Sequence, residues 1–216
     1  MVWIRQIFGK SAHPSSLLLL KQTTKSLYAI RRIVDYSYDD GTAELAYGIN
    51  GISAKLAYRF DLIQGDTLRA INMFFAQSGL SVASQQFRLA VWSGGASGPT
   101  GNPVYEKVGQ TPMYLDSLNQ FKTYLTDPFY LSAGTWYFGF IQNSAALLNI
   151  GLDVNTPADP SKKYINTSGN WTTSQLPGMW MIRPVFSGSE LYSGIQNSAS
   201  GVEFSIFPNP SSGMVS

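Results

Sequence analysis

An all-β fold, an antiparallel two-sheet β-sandwich, is predicted by three features of this sequence. Charged residues supply only 13% of its 216 positions, about half the roughly 25% usual for globular domains. Aromatic and β-branched residues recur at every second position in several short runs, which is the period of a strand buried on one face. Between those runs lie clusters of Gly, Pro, Asn and Ser, and no long stretch carries the 3.6-residue period of a helix. Jelly-roll connectivity is expected for such a sandwich, with an immunoglobulin-like sandwich as the alternative.

The elements follow in order. Residues 1–34 read as a leader or the end of a preceding domain, with a short amphipathic helix or strand around 27–34. From residue 35 the period is two. In "AKLAYRFDL" Ala54, Leu56, Tyr58, Phe60 and Leu62 alternate with Lys55, Ala57, Arg59 and Asp61, which places one row on a core and the other outside. Further strands are expected at 67–75, 86–93, 121–126, 134–142, 147–154 and 179–186. Trp136, Phe138 and Phe140 share the inward face of the 134–142 strand. The clusters at 93–103, 155–163 and 166–171 are read as turns. Residues 35–190 thus form the sandwich module, the small polar residues 191–202 a linker, and residues 203–216 the start of another unit.

Charge and composition exclude some functions. With 15 basic and 13 acidic residues the formal charge is +2, and no basic patch of the kind that neutralises a phosphate backbone is present. There is no cysteine, so disulfides, thiolate nucleophiles and Cys-based zinc sites are out. The run of leucines at 17–20 is far shorter than the roughly 20 residues a membrane-spanning helix needs. His13 is the sole histidine, which excludes a Ser-His-Asp triad or a multi-histidine metal centre within 35–190. A carboxylate pair of the glycosidase type remains open on composition alone.

Two clusters can carry a ligand. In "YSYDDGTAE" Asp39, Asp40 and Glu44 flank a glycine. An oxygen-rich turn of this kind suits a structural calcium ion, which takes six to eight oxygen ligands, and equally suits a solvated turn with Asx-type hydrogen bonds. Asp153 is the expected distant partner, because Leu148, Ile150, Leu152 and Val154 face inward and leave Asn149 and Asp153 on the opposite face. The second cluster is "TSGNWTTS", where Trp171 stands in a polar loop. Sugar rings stack on flat aromatic faces while their hydroxyls seek amides and carboxylates, so Trp171 with Asn170, Tyr164 and Asn149 forms a candidate carbohydrate site. The alternative role for Trp171 is to fold over an open end of the sandwich.

The last residues, "FSIFPNPSSGMVS", carry a resemblance. Ile206, Phe207, Pro208, Asn209, Pro210, Ser211, Ser212 and Gly213 resemble the opening of the C-terminal sorting domain of proteins exported by the type IX secretion system of Bacteroidota. Pro208, Asn209, Pro210 and Gly213 are the motif positions, and the rest of such a domain is expected beyond residue 216. The resemblance implies contact with the type IX secretion machinery and a final location outside the cell or on the outer-membrane surface. The region 35–188 looks, more loosely, like the non-catalytic β-sandwich modules that precede such domains. Within it Asp66-Thr67-Leu68 and Asp116-Ser117-Leu118 fit the acceptor pattern of O-glycosylation in these bacteria, at Thr67 and Ser117. The expected function is therefore a non-catalytic accessory or binding module that recognises a glycan or a surface protein. A fragment of a secreted glycosidase or protease, and a ligand-free adhesin or stalk domain, are the alternatives.

Overall fold

Rows of aromatic residues at alternate positions must be buried on both sides of a shared layer, and two facing sheets achieve this here. The computed structural model describes residues 3–5, 15–21, 29–115 and 118–187, with side chains described for 36–115 and 118–186. Its strands are β1 (Trp3–Arg5), β2 (Ser15–Lys21), β3 (Ala29–Asp35), β4 (Leu45–Tyr47), β5 (Lys55–Leu62), β6 (Asp66–Met73), β7 (Phe87–Gly95) and β8 (Gly98–Pro99). They continue with β9 (Tyr105–Gln110), β10 (Lys122–Leu131), β11 (Gly134–Gln142), β12 (Ile150–Asp153), β13 (Lys163–Asn166), β14 (Thr172–Thr173), β15 (Met179–Trp180) and β16 (Ile182–Ser187). One 3₁₀ turn, Pro160–Lys162, precedes β13, and the Asp159 side chain caps it through the Ser161 N–H.

Every pairing is antiparallel. One sheet runs β1-β2-β3-β16-β6-β10, and the facing sheet runs β14-β13-β5-β11-β7-β8 with β9 also paired to β7. A small third sheet, β15-β12-β4, sits beside them. Aromatic rings tie the two large sheets together. Phe138 of β11 meets Phe186 of β16 edge-on at 6.0 Å, and Phe87 of β7 meets Tyr124 of β10 at 5.4 Å. Edge-to-face pairs of this kind add to the apolar burial that drives the layers together.

The predicted strand 134–142 is β11 without change, and the expected strands near 55, 67, 87 and 122 are β5, β6, β7 and β10. Of the expected element at 27–34, residues 29–34 belong to the strand β3, which pairs with β16. The predicted strand 179–186 breaks at Met181 into β15 and β16. Met181 donates its N–H to Gly151 O and accepts from Phe74 N, so the chain changes sheets at that residue. Strand β8 lies within the cluster 93–103 that reads as turn, and β4, β9, β13 and β14 lie outside every expected strand. His13, Ser117 and residues 191–216 lie outside the described residues. Among those described, no helix is long and apolar enough to cross a membrane.

An edge strand is a template for unwanted pairing. On β10 the register shifts between Leu125 and Phe129, where Asp127 and Pro128 stand. Proline offers no N–H to a neighbour and the bulge twists the strand away, so this edge is blunted.

Candidate functional site

The acidic turn and Asp153 meet in space. Asp40 N donates to Asp153 Oδ2 at 2.8 Å, while Asn155 N and Thr156 N donate to Asp153 Oδ1 at 2.8 and 3.0 Å. Contrary to its expected place on a polar face, Asp153 is 0% exposed. Three backbone donors make that burial affordable, since a carboxylate can leave water when its lone pairs are met by N–H groups. Glu44 reaches the same loop, accepting from Val154 N at 3.0 Å and Asn155 Nδ2 at 2.7 Å. Asp39 takes the Arg183 guanidinium on both oxygens, Nε at 3.1 Å, and also the Gly41 N–H.

These four acids therefore stitch residues 39–44 to residues 153–156 and to β16. Their oxygens accept from backbone N–H groups, the Arg183 guanidinium and the Thr42 hydroxyl. Among the described residues no three His, Cys, Asp or Glu side chains converge so as to hold a metal ion. Burial pushes the Asp39 carboxyl up, against the opposing pull of Arg183.

The aromatic candidates gather elsewhere, on the outer face of the β5-β11-β7 sheet. There Ala57, Ala90, Trp92, Tyr137, Ile141 and Tyr164 form a second apolar cluster, separate from the sandwich core, and Trp171 packs against it half-buried. The register explains the grouping: Ala57 of β5 faces Gly139 of β11, which faces Ala90 of β7, and Tyr164 of β13 faces Ala57. Two alanines and a glycine in one row leave a low strip between larger neighbours. Trp171 meets Trp92 edge-on, with centroids 5.4 Å apart and planes at 81°.

A second segment covers this face from the other side. Residues 94–99 leave β7 and arch back over the sheet, so that Tyr137 donates its hydroxyl to Gly95 O and Tyr164 donates to Ala96 O at 2.8 Å. Gly98 adopts φ +122°, and a Cβ there would stand 2.8 Å from the Tyr164 ring, so the arch needs glycine both for its backbone and for its closeness. Burial, with the neighbouring Tyr164, pushes the Tyr137 hydroxyl up. The exposed Gly95-Ala96-Ser97 arch and the half-exposed Trp171, which follows the exposed polar loop 167–170, thus share the face of Tyr137 and Tyr164.

The structure brings Tyr164, Asn170 and Trp171 onto one hairpin, β13 to β14, whose turn is fixed by Gly169 N donating to Asn166 Oδ1 at 2.8 Å. Asn149 is not part of it. Its amide donates to Ser78 O and its carbonyl accepts from Ala76 N, at the edge of the small sheet. Thr67 lies half-buried at the start of β6, with its N–H on the Asp66 carboxylate.

From the sequence Trp92 is undecided, the arch is only a turn, and Tyr137 does not stand out. One signal was available: β11 reads "GTWYFGFIQ", bulky at both parities, and a strand with large residues on both faces is covered on both. No family model, curated protein or solved structure matches the chain.

Proposed function

We propose that the chain is a non-catalytic β-sandwich module of an exported or surface-attached protein, and that its ligand is a carbohydrate held on the outer face at Trp171. The observation that carries this reading is the half-exposed Trp171 indole, propped edge-on by a buried Trp92 and preceded by the exposed polar loop 167–170. A rigid aromatic plate amid hydroxyls and amides matches the alternating apolar and polar faces of a pyranose ring.

The acids support the non-catalytic part. Catalytic carboxylates need an oxygen free to meet substrate or water. Here Asp39 and Asp153 are buried in the fold, and the more exposed acids also have partners: Asp61 takes Arg59, Lys162 and Thr135, Glu106 takes Arg88, Asp127 takes Lys107 and Tyr105, and Asp159 caps a turn. Export rests on the resemblance of the Pro208-Asn209-Pro210 tail to a type IX sorting domain.

A glycan array probed with the wild-type chain and with Trp171→Ala tests the proposal. Binding to at least one glycan class that disappears in the variant is the expected result. Absence of binding in both would assign the module a spacer role. Detection of the chain in the medium or on the cell surface, lost when residues 203–216 are deleted, is the matching expectation for export.

A further inference from the structure

The charges around the aromatic cluster point to a particular kind of sugar. Among the described residues most cations on this sheet are spoken for: Arg59 and Lys162 share Asp61, and Arg88 pairs with Glu106. Lys55 differs. Its side chain makes no hydrogen bond or ion pair with the described residues, although it is half-buried. Lys122, the other lysine in that position, belongs to β10 of the opposite sheet.

Register places Lys55 at the candidate site. It shares the outer face of β5 with Ala57, lies opposite Ile141 of β11 on one side, and lies opposite Asn166 of β13 on the other. Ile141 belongs to the cluster on which Trp171 packs, and Asn166 opens the loop that carries Asn170 and Trp171. The strand spacing is about 4.8 Å, so a lysine stem lying along Ile141 keeps its ammonium within reach of anything stacked on that indole.

We infer that the outer face selects acidic sugars, with the ring of a uronic acid stacked on Trp171 and its carboxylate paired to Lys55. This deepens the carbohydrate reading above and rests on it. Lys55 has no counter-charge among the described residues, and an incoming carboxylate would supply that partner in a charge-assisted hydrogen bond. Neutral sugars would leave it as it is.

The test uses the whole chain and two probes, one charged and one neutral: oligogalacturonate and the same oligomer fully methyl-esterified. Titration followed by tryptophan fluorescence should give a dissociation constant about tenfold lower for the acid form, as one charge-assisted bond implies. Lys55→Gln should bring the acid form to the affinity of the ester and leave the ester unchanged, while Lys55→Arg should keep the preference. Raising the salt from low to high should narrow the gap in the wild type. Thermal unfolding of each variant checks that the fold persists. Equal affinity for acid and ester, or a preference that survives Lys55→Gln, would overturn the inference and leave the carbohydrate reading standing. If neither oligomer binds the wild type while a neutral glycan on the array does, the acidic-sugar inference alone fails. If nothing on the array binds, both fail together.

Discussion

Lys163 is an inward-facing lysine with no carboxylate at its ammonium. It is 0% exposed, and its Nζ donates to Leu176 O and, at 2.7 Å, to Gly178 O, so it pins the chain ahead of β15. Burial lowers its pKa, with a smaller opposing effect from Asp159. The folded-state value lies below the unfolded one, so between the two the unfolded chain holds more protons and stability rises with pH. Wild-type stability relative to Lys163→Met should therefore climb as pH is raised from neutral toward about 10, the free-lysine range, as read by urea unfolding at each pH. The Asp39–Arg183 pair behaves differently. Arg183→Met leaves a buried carboxylate with only the Gly41 N–H and is expected to cost about 3–5 kcal/mol, most of it recovered by adding Asp39→Asn. Because burial raises the Asp39 pKa, its folded form binds the extra proton and the penalty of Arg183→Met should grow with rising pH and shrink in acid, which the same unfolding series measures.

Elements differ in how plainly their sequence announces them. In β5 the alternation of Leu56, Tyr58 and Phe60 with Lys55, Arg59 and Asp61 is legible because one face meets the core and the other meets water. The inward face of β11 was equally legible, since Phe138 and Phe140 are fully buried and Trp136 packs against the core. Its outer face was not, because the cover over Tyr137 is a glycine-rich arch that by composition is only a turn. Of the candidate site, the sequence pointed to Trp171, Asn170 and Tyr164 through the polar loop around the indole. It could not reveal Trp92 or Lys55, whose roles depend on which strands become neighbours. Gly139 shows what that neighbourhood demands. A Cβ there would collide with the Leu56 carbonyl across the ladder, and backbone in the centre of a sheet cannot step aside. Gly139→Ala is expected to destabilise by about 3 kcal/mol or more, the upper end of overpacking, as a fall in the urea midpoint. Gly98→Ala strains the arch at positive φ and should instead loosen the outer cluster, raising the accessibility of Trp92 to an aqueous quencher with a smaller loss of stability.

Across the whole molecule, strand order decides what can fold without what. Strand β16 lies between β3 and β6, so the last described strand is the seam of the first sheet, and its Phe186 also anchors the aromatic contacts to Tyr36 and Phe138. A chain ending at Met181 is expected to lose cooperative unfolding altogether, seen as the disappearance of a sigmoidal thermal transition. With most pairings joining distant segments, refolding should fall in the millisecond-to-second range or slower typical of β topologies. The position of β16 also has a consequence in time. At about 5–20 residues per second a ribosome takes roughly 8–30 s to pass from the start of β3 to the end of β16, and until then the first sheet has a missing centre. The nascent chain spends that interval unable to close, which makes it a client for whatever holds apolar strands apart.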